Sequence, residues 1–390
     1  MKKKLIIIKR FCHRLLGEWF PIREKPLVLQ MPITSRCNSC CVTCNVWKLH
    51  ERKDIDATIL KEALKDPFFS EVQTVGINGG EFSLVPNFMA VLEALISLPH
   101  LESIYLITNG IATEKIKEHT KSAKSFCSAH DISVTLCISL DGVGNIHDTI
   151  RGIPGNFEKT VQLIKDISSD QSLYCDNLVI GHTLSRFNID KAHEIEKYLA
   201  PFDVTLDVHL AVPNKRIGTY TDHDKYNILA DDKSRQLAAE YFYSRFLYEN
   251  NLTAKARYFA NYYYLKNNGE GRLASCLYRY RDVTIDENLN LRLCATASES
   301  LGNLGKESAS SIIKNNRTKK EAKRLLKECN KCIHYAYYPL TIKGRILFAR
   351  EVVKQQYSMT IYKCTSGKQR FKVYLSAANK AIKMVVKYDY

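Results

Sequence analysis

The chain has 390 residues, a length that suggests two domains with appendages rather than one small core. Apolar residues make up 45%, ordinary for a globular protein, and no stretch approaches twenty consecutive apolar residues, so a membrane-spanning helix is excluded. The net charge of +16 lies almost wholly at the ends: residues 1–30 carry eight Lys/Arg against two Glu (+6), and 341–390 carry eleven against Glu351 and Asp389 (+9).

The chain opens on a short apolar run that Lys9 and Arg10 break, too short for a secretory signal core. Leu5, Ile8, Phe11, Leu15, Leu16 and Trp19 share one helical face, flanked by Lys4, Lys9, Arg10 and Arg14. Such a helix lies on an anionic membrane surface or packs on the domain with its basic face solvated. Six runs rich in β-branched residues then predict strands at Leu27–Thr34, Val72–Asn78, Ser103–Thr108, Ile132–Ser139, Leu178–Leu184 and Val204–Leu210. Helical spacing predicts helices between them at Thr58–Lys65, Asn87–Leu98, Thr113–Ser125, Asn156–Ser169 and Ile189–Leu199. Asp54 or Asp56, Asn156 and Asn188 are the candidate N-caps. This alternation implies parallel strands joined by crossovers, with too few repeats for an eight-stranded barrel. A polar stretch, Pro213–Lys233, follows as an excursion over the barrel mouth or a connector. Gln236–Tyr248 reads as a helix, Asp286–Asn290 as the turn of a β-hairpin, and Lys319–Lys327 as a basic helix.

Thirteen cysteines without an export signal argue for reduced thiols and metal. The expected setting is a low-oxygen cytoplasm, with a peripheral place at the inner membrane face as the alternative reading of the basic ends. Cys37, Cys41 and Cys44 form one tight triplet directly after the first strand. Three thiolates on one loop can hold three irons of a cubane cluster and leave the fourth iron open. Two adjoining CxxC pairs of a zinc site, Cys37 with Cys40 and Cys41 with Cys44, are the competing reading. It would require the consecutive residues Cys40 and Cys41 to face one ion.

The triplet and its surroundings resemble the radical S-adenosylmethionine (radical SAM) superfamily. The family's CxxxCxxC falls on Cys37, Cys41 and Cys44. Gly79, Gly80 and Glu81 resemble its GGE, and Thr108, Asn109 and Gly110 its TNG. Ser139, Leu140, Asp141 and Gly142 resemble its SLDG, followed by HDTIRGIPGNF from His147 to Phe157. Phe82 stands where the family usually has Pro, and Thr43 where a bulky apolar residue often precedes the third cysteine. The resemblance covers roughly residues 27–210. It implies an α/β fold: a partial (β/α)6 TIM-like barrel followed by a small α+β cluster-binding domain. The corresponding division is 1–25 as a basic amphipathic segment, 26–212 the barrel, 213–265 a connector and helix, 266–340 the auxiliary domain and 341–390 a basic extension. The predicted motifs fall at the carboxyl ends of the strands, where barrel active sites are built.

As the resemblance implies it, a SAM-binding [4Fe-4S] cluster sits on the triplet, and its open iron takes the amino and carboxylate groups of S-adenosylmethionine. Gly79 and Gly80 let backbone approach that group. Glu81 places a carboxylate near the ammonium, and Asn109, Ser139 and Asp141 contact ribose or carboxylate. One electron cleaves the cofactor, and a 5′-deoxyadenosyl radical takes hydrogen from substrate. The structural alternatives are plain. Glu81 reads equally as a surface loop residue, Ser139 and Asp141 as caps of the next helix, and His147 with Arg151 as a structural pair. His209 and Arg186, at the ends of the sixth and fifth strands, are the candidate catalytic residues; Asn188 stands beside Arg186.

Cys276, Cys294, Cys329 and Cys332 suit a closed zinc site or a fully ligated four-iron cluster. Behind a radical SAM barrel they resemble a "twitch" domain, a shortened SPASM domain, which implies a second, auxiliary [4Fe-4S] cluster. Cys12, Cys40, Cys127, Cys137, Cys175 and Cys364 remain as small buried apolar residues. An auxiliary cluster favours a net two-electron oxidation. The expected substrate is a carbohydrate-like or other small alcohol, with peptide side-chain modification as the alternative. An electron donor such as flavodoxin or ferredoxin is the implied protein partner. A reading from another class is a non-catalytic metal protein whose basic ends bind nucleic acid, a partner the motifs disfavour.

Overall fold

The computed structural model describes residues 23–334 and 340–361, with 369, 375 and 376. The amphipathic segment at 5–19, Cys12, Cys364 and most of the basic extension lie outside the described residues. Two compact units are present. Arg23–Ala230 with Tyr278–Leu325 form one; Asp231–Leu277 and the described residues from Leu326 onward belong to the other.

The larger unit is built on strands β1 (Val28–Thr34), β2 (Thr74–Gly79), β3 (Ser103–Thr108), β4 (Ser133–Ser139), β5 (Asn177–Leu184) and β6 (Thr205–Leu210). They pair in parallel with their sequence neighbours, giving the order β6-β5-β4-β3-β2-β1. The first crossover carries α1 (Ala57–Leu64), the second α2 (Phe88–Leu95) and the third α3 (Thr113–Ser128). The fourth holds α4 (Asn145–Arg151), α5 (Asn156–Ser169) and α6 (Gln171–Tyr174), and the fifth α7 (Ala192–Leu199). One face of every strand is apolar and buried beneath these helices; Leu29, Met31 and Ile33 of β1 are fully enclosed. β1 pairs on its other side with β7 (Val283–Ile285), which continues antiparallel to β8 (Asn290–Arg292) and β9 (Gly302–Asn303). The sheet is open: β6 and β9 are its two edges. The predicted hairpin therefore forms, and it extends the barrel sheet beside β1.

The six strands and five helices fall where periodicity placed them, with shifts of a few residues at their ends. The caps differ. Asp56 caps α1, its Oδ1 accepting from Thr58 N and Ile59 N at 2.9 and 3.0 Å. Asp54 instead accepts from Thr34 Oγ1 and pairs with Arg36. Asn156 is not a cap. Gly155, with φ of 72°, takes that position, and the Asn156 amide lies against His147 Nε2 at 3.0 Å. Asn188 makes no capping bond either.

The smaller unit contains α8 (Asp232–Tyr248), which covers the predicted 236–248 helix, and α9 (Leu252–Lys266). Helix α10 (Ala309–Lys314) and α11 (Asn316–Glu328) follow in the chain, the latter over the predicted basic helix, and then α12 (Ile342–Ile361). Rings of Phe246, Phe259 and Phe348 from α8, α9 and α12 meet at 5.5 to 6.2 Å and make the core of the smaller unit.

Candidate functional site

Parallel strands put all six carboxyl ends on one side, and the cysteine loop leaves β1 there. Its seat is the end of α4. Cys40 N and Ser39 Oγ both donate to Arg151 O, at 2.9 and 3.0 Å, and Val42 N donates to Ile150 O at 2.9 Å. Gly152 ends α4 with φ of 68°, and a Cβ there would meet Cys40 O at 2.6 Å. The glycine of IRG is thus demanded by the cysteine loop as well as by backbone geometry. Donors are directed at the sulfurs. Ser39 N lies 3.5 Å from Cys37 Sγ, Asn109 Nδ2 3.7 Å from the same atom, and Arg151 Nη1 3.8 Å from Cys41 Sγ.

The GGE segment docks on the same loop. Gly80 N donates to Thr34 O at 2.7 Å and Glu81 N to Arg36 O at 2.8 Å. A Cβ on Gly80 would stand 1.8 Å from Arg36 O. Glycine is required there by the chain leading into Cys37. Glu81 is fully buried: Oε1 accepts from Thr108 Oγ1 at 2.9 Å and Ser83 N at 3.2 Å, and Oε2 from Asn109 N at 2.7 Å. Burial pushes its pKa up, against the hydrogen bonds that lower it. Glu81 is therefore no surface residue; its carboxylate turns inward and ties the end of β2 to the TNG loop. Phe82, in the place of Pro, is buried against Phe88, ring centroids 5.1 Å apart, so packing fixes this loop.

Asp141 is the centre of a buried polar network. Its Oδ2 is 2.7 Å from Arg151 Nη2, and Oδ1 accepts from Thr183 N at 2.8 Å. Its own N–H donates to His147 Nδ1 at 3.0 Å, and its carbonyl accepts from Asn188 Nδ2 at 2.9 Å. Burial alone would raise its pKa, but the Arg151 guanidinium, with the hydrogen bond from Thr183 N, holds it below the usual carboxylate range. Burial, then Arg151, pushes His147 down to about 4, so the ring is neutral with Nδ1 accepting. Its Nε2 lies 3.0 Å from the Asn156 side-chain amide, whose oxygen accepts from Thr160 Oγ1 at 3.3 Å. Ser139 is buried at the end of β4. Neither Ser139 nor Asp141 caps α4, whose N-cap is Gly144. His209 is exposed, with Nε2 3.0 Å from Thr183 Oγ1. Arg186 is exposed and donates to Asp224 O at 3.2 Å.

The donor set fits an iron–sulfur cluster. Burial pushes Cys37 up to about 12 and Cys44 up to about 11, so these thiols become thiolates only beside a cation, as metal ligation supplies. The polar excursion after β6 closes on this side. Asn45 Nδ2 donates to Gly218 O at 3.4 Å, and Arg216, near Cys44, pairs with Glu287 at 2.9 Å with both side chains buried. Among the described residues no three His, Cys, Asp or Glu side chains converge on a point suited to a single metal ion.

A family model described as the radical SAM superfamily matches residues 31–194. These residues are a radical SAM domain. The matched span holds the cysteine loop, Gly79–Glu81, Asn109, Ser139, Asp141 and Arg151. It ends before β6 and His209. Over 154 residues the chain is 29% identical to the antilisterial bacteriocin subtilosin biosynthesis protein AlbA of Bacillus subtilis, covering 38% of this chain and 32% of AlbA. The chain thus spans about a third of that relative's length. Among solved structures, anSMEcpe with bound AdoMet and Kp18Cys peptide superposes with a TM-score of 0.54 at 17% identity, covering 92% of this chain and 99% of the other. Streptococcus suis SuiB bound to precursor peptide SuiA gives 0.52 at 15% identity, covering 81% and 69%. The open sheet of the radical SAM domain is thus a shared architecture.

Arg151 is more than a loop partner of His147: its guanidinium joins Asp141 to Cys41 and its carbonyl seats the cysteine loop. The signal was present in HDTIRG: an arginine and a glycine closing a short helix. Of the C-terminal cysteines, Cys276 is buried and Cys329 and Cys332 half-buried in the smaller unit, while Cys294 is buried in the larger. Ala297 N lies 3.3 Å from Cys294 Sγ. Arg272 Nη1 donates to the carbonyls of Cys332 and His334 at 2.6 and 2.8 Å, and Tyr264 Oη to Lys331 O at 2.7 Å. Cys127, Cys137 and Cys175 are buried, while Cys40 is half-buried at the loop.

Proposed function

We propose that this chain is a radical SAM enzyme that modifies a peptide side chain by a net two-electron oxidation. The observation that carries the reading is the cysteine loop, held by Arg151 and Asn109 inside the matched domain with polar donors directed at its sulfurs. Cys37, Cys41 and Cys44 would hold the SAM-binding cluster, and Asn109, Ser139, Asp141 and the Gly79–Glu81 segment would shape the cofactor pocket. With S-adenosylmethionine bound, that cluster supplies one-electron chemistry able to remove hydrogen from an unactivated position. Cys276, Cys294, Cys329 and Cys332, by their sequence spacing, are the ligands assigned to a second cluster that takes the second electron. Reducing equivalents come from a flavodoxin- or ferredoxin-like donor.

The sequence alone favours a carbohydrate-like or other small alcohol substrate, with peptide side-chain modification as its alternative. The comparisons move the reading to peptide: two superposable enzymes were solved with peptides, and AlbA serves bacteriocin biosynthesis. No helix among the described residues is long and apolar enough to cross a membrane.

The test is purification and reconstitution without oxygen. About eight irons per chain are expected from two four-iron clusters, falling by about half in Cys41→Ala. Reductant and S-adenosylmethionine should yield 5′-deoxyadenosine in the parent and none in Cys41→Ala. A peptide encoded beside this gene should lose two hydrogens by mass. Bound zinc without iron, or no 5′-deoxyadenosine, refutes the enzyme; intact peptides with an oxidised small alcohol refute the substrate.

A further inference from the structure

Helix α11, whose residues up to Leu325 belong to the larger unit, has two unlike sides. Thr318, Ala322 and Leu325 are buried. Thr318 Oγ1 donates to Ile312 O at 2.6 Å, and Asn315 Oδ1 accepts from Thr318 N at 2.8 Å, so the first turn is held on α10. The other side presents Arg317, Lys319, Lys320 and Lys323, joined by Lys314 from the end of α10, all exposed. Lys320 stands three residues from both Arg317 and Lys323, and Lys319 four from Lys323, so their side chains are neighbours on the helix surface. Between Lys314 and Lys323 the single acid is Glu321, and it turns inward. Its Oε1 accepts from Glu299 N at 2.8 Å and its Oε2 from Arg324 Nε at 2.8 Å.

Solvated helices elsewhere in the chain pair their cations with acids. Lys117 meets Glu114, Lys191 meets Glu194, and Arg235 meets Asp232, each three residues away. The exposed side of α11 departs from that habit, and like charges at these spacings weaken a helix. The helix's own stability therefore does not account for the pattern, whereas an anionic partner does. The nature of that partner follows from what the surface lacks. No large apolar side chain of α10 or α11 is exposed, which argues against a stable hydrophobic interface and against insertion into a bilayer. Residues 309–325 contain no aromatic ring on which a base could stack. What fits is a wet electrostatic contact, steered on and quickly released, as in transient electron-transfer pairs.

The radical chemistry proposed above needs one electron from outside the chain at each turnover. The inner side of α11 also meets the loop after Cys294, one of the proposed cluster ligands. Arg324 Nη2 donates to Ala297 O at 2.7 Å, and Ala297 N lies 3.3 Å from Cys294 Sγ. We propose that the exposed side of α11 is the docking surface for an acidic one-electron carrier protein. The inference rests on the radical SAM reading and deepens it by naming where the donor binds. In each encounter the reduced carrier gives up one electron, the chain gains it, and no bond forms or breaks.

The experiment uses the full chain, cluster-loaded and oxygen-free, with labelled flavodoxin as the probe and binding read by fluorescence anisotropy. Binding should weaken as salt rises, since exposed charges beyond about 8 Å are screened at physiological strength. The combined variant Lys319→Glu, Lys320→Glu, Lys323→Glu should bind roughly tenfold weaker or worse, because three exposed attractions become repulsions. Lys115→Glu, Lys121→Glu, Lys159→Glu makes the same charge change at exposed positions elsewhere in the larger unit and should weaken binding far less. Iron content and unfolding midpoint are checked for each, and replacement of the three α11 lysines by Gln serves if the reversal fails to fold. 5′-Deoxyadenosine formed with reduced flavodoxin should fall in the α11 variant, while that formed with dithionite stays at the parent level. Equal losses from the two triple variants would place the attraction in the overall charge of +16 and overturn the proposal. So would flavodoxin that ignores the parent or binds the α11 variant as tightly. A labelled single-stranded oligonucleotide or phosphatidylserine vesicles that lose binding in the α11 variant, while flavodoxin does not, would give the surface to nucleic acid or membrane instead. No 5′-deoxyadenosine with dithionite in the parent would sink the enzyme reading separately, and the binding series would still decide the surface.

Discussion

Arg151→Met tests the junction that holds the candidate site. The substitution keeps the stem volume and the backbone carbonyl that accepts from Cys40 and Ser39. It removes the guanidinium that lies 2.7 Å from Asp141, whose side chain is only 3% exposed. Taking one partner from a buried ion pair leaves the other charge uncompensated, at a cost of about 3–5 kcal/mol. The Thr183 N–H still serves the other carboxylate oxygen, so the lower end of that range is expected. For a unit of this size each kcal/mol lowers the melting temperature by roughly 2–4 °C, so a fall of roughly 6–12 °C is expected. The assay is urea and thermal unfolding of reduced, metal-free protein. Asp141→Asn in the Met background should recover most of the loss, because the stranded charge is gone. The pH dependence has a definite sign. In the parent the folded pKa of Asp141 is lowered, so its contribution is complete above the ordinary carboxyl value of about 3.9 and is lost as pH falls through the lower folded value. In the variant the carboxyl loses the charge that lowered it, and burial raises it. Its protonated form is then the cheaper one, and the gap between the two proteins narrows on acidification. A loss under about 1 kcal/mol, or no recovery in the double variant, would show that the pair does not anchor the site as its geometry requires.

Two further outcomes follow from the same network. Gly80→Ala puts a Cβ 1.8 Å from Arg36 O, a backbone atom that can yield only by moving the entry to Cys37. We expect a destabilisation of roughly 1–3 kcal/mol with reduced iron retention, and full iron content in that variant would refute the docking role. His147 has a folded pKa pushed down to about 4 from 6.5, so its neutral form stabilises the fold fully above about 6.5, and about 3 kcal/mol is lost as pH falls to about 4. His147→Gln should flatten the pH profile of the urea midpoint between those limits; an unchanged slope would show that another group titrates there.

The parts of this fold that the sequence revealed are those written in local patterns. Alternating burial in a run such as Ser103–Thr108, helical spacing in 156–169 and the Asp56 cap each depend on residues a few places apart, and each stands where expected. What stayed hidden depends on separation. Asn156 reads as a cap because its neighbours are local; its partner, His147, is reached only when two helices fold against each other. Glu81 reads as a ligand because its motif says so; only the pairing of β2 with β3 shows that Thr108 and Asn109 claim its carboxylate. The hairpin at Asp286–Asn290 was legible as a hairpin, but its docking beside β1 is a match of two strands more than 240 residues apart, with Leu29 opposite Val283. Arg151 unites both kinds. Its place at a helix end before glycine is local, whereas its value lies in touching Cys41 and Asp141 at once. A motif thus names the residues that meet at a site, and the register of the sheet decides which of them face the chemistry and which hold the others in place. By that criterion Glu81 and Arg151 hold other parts of the site in place.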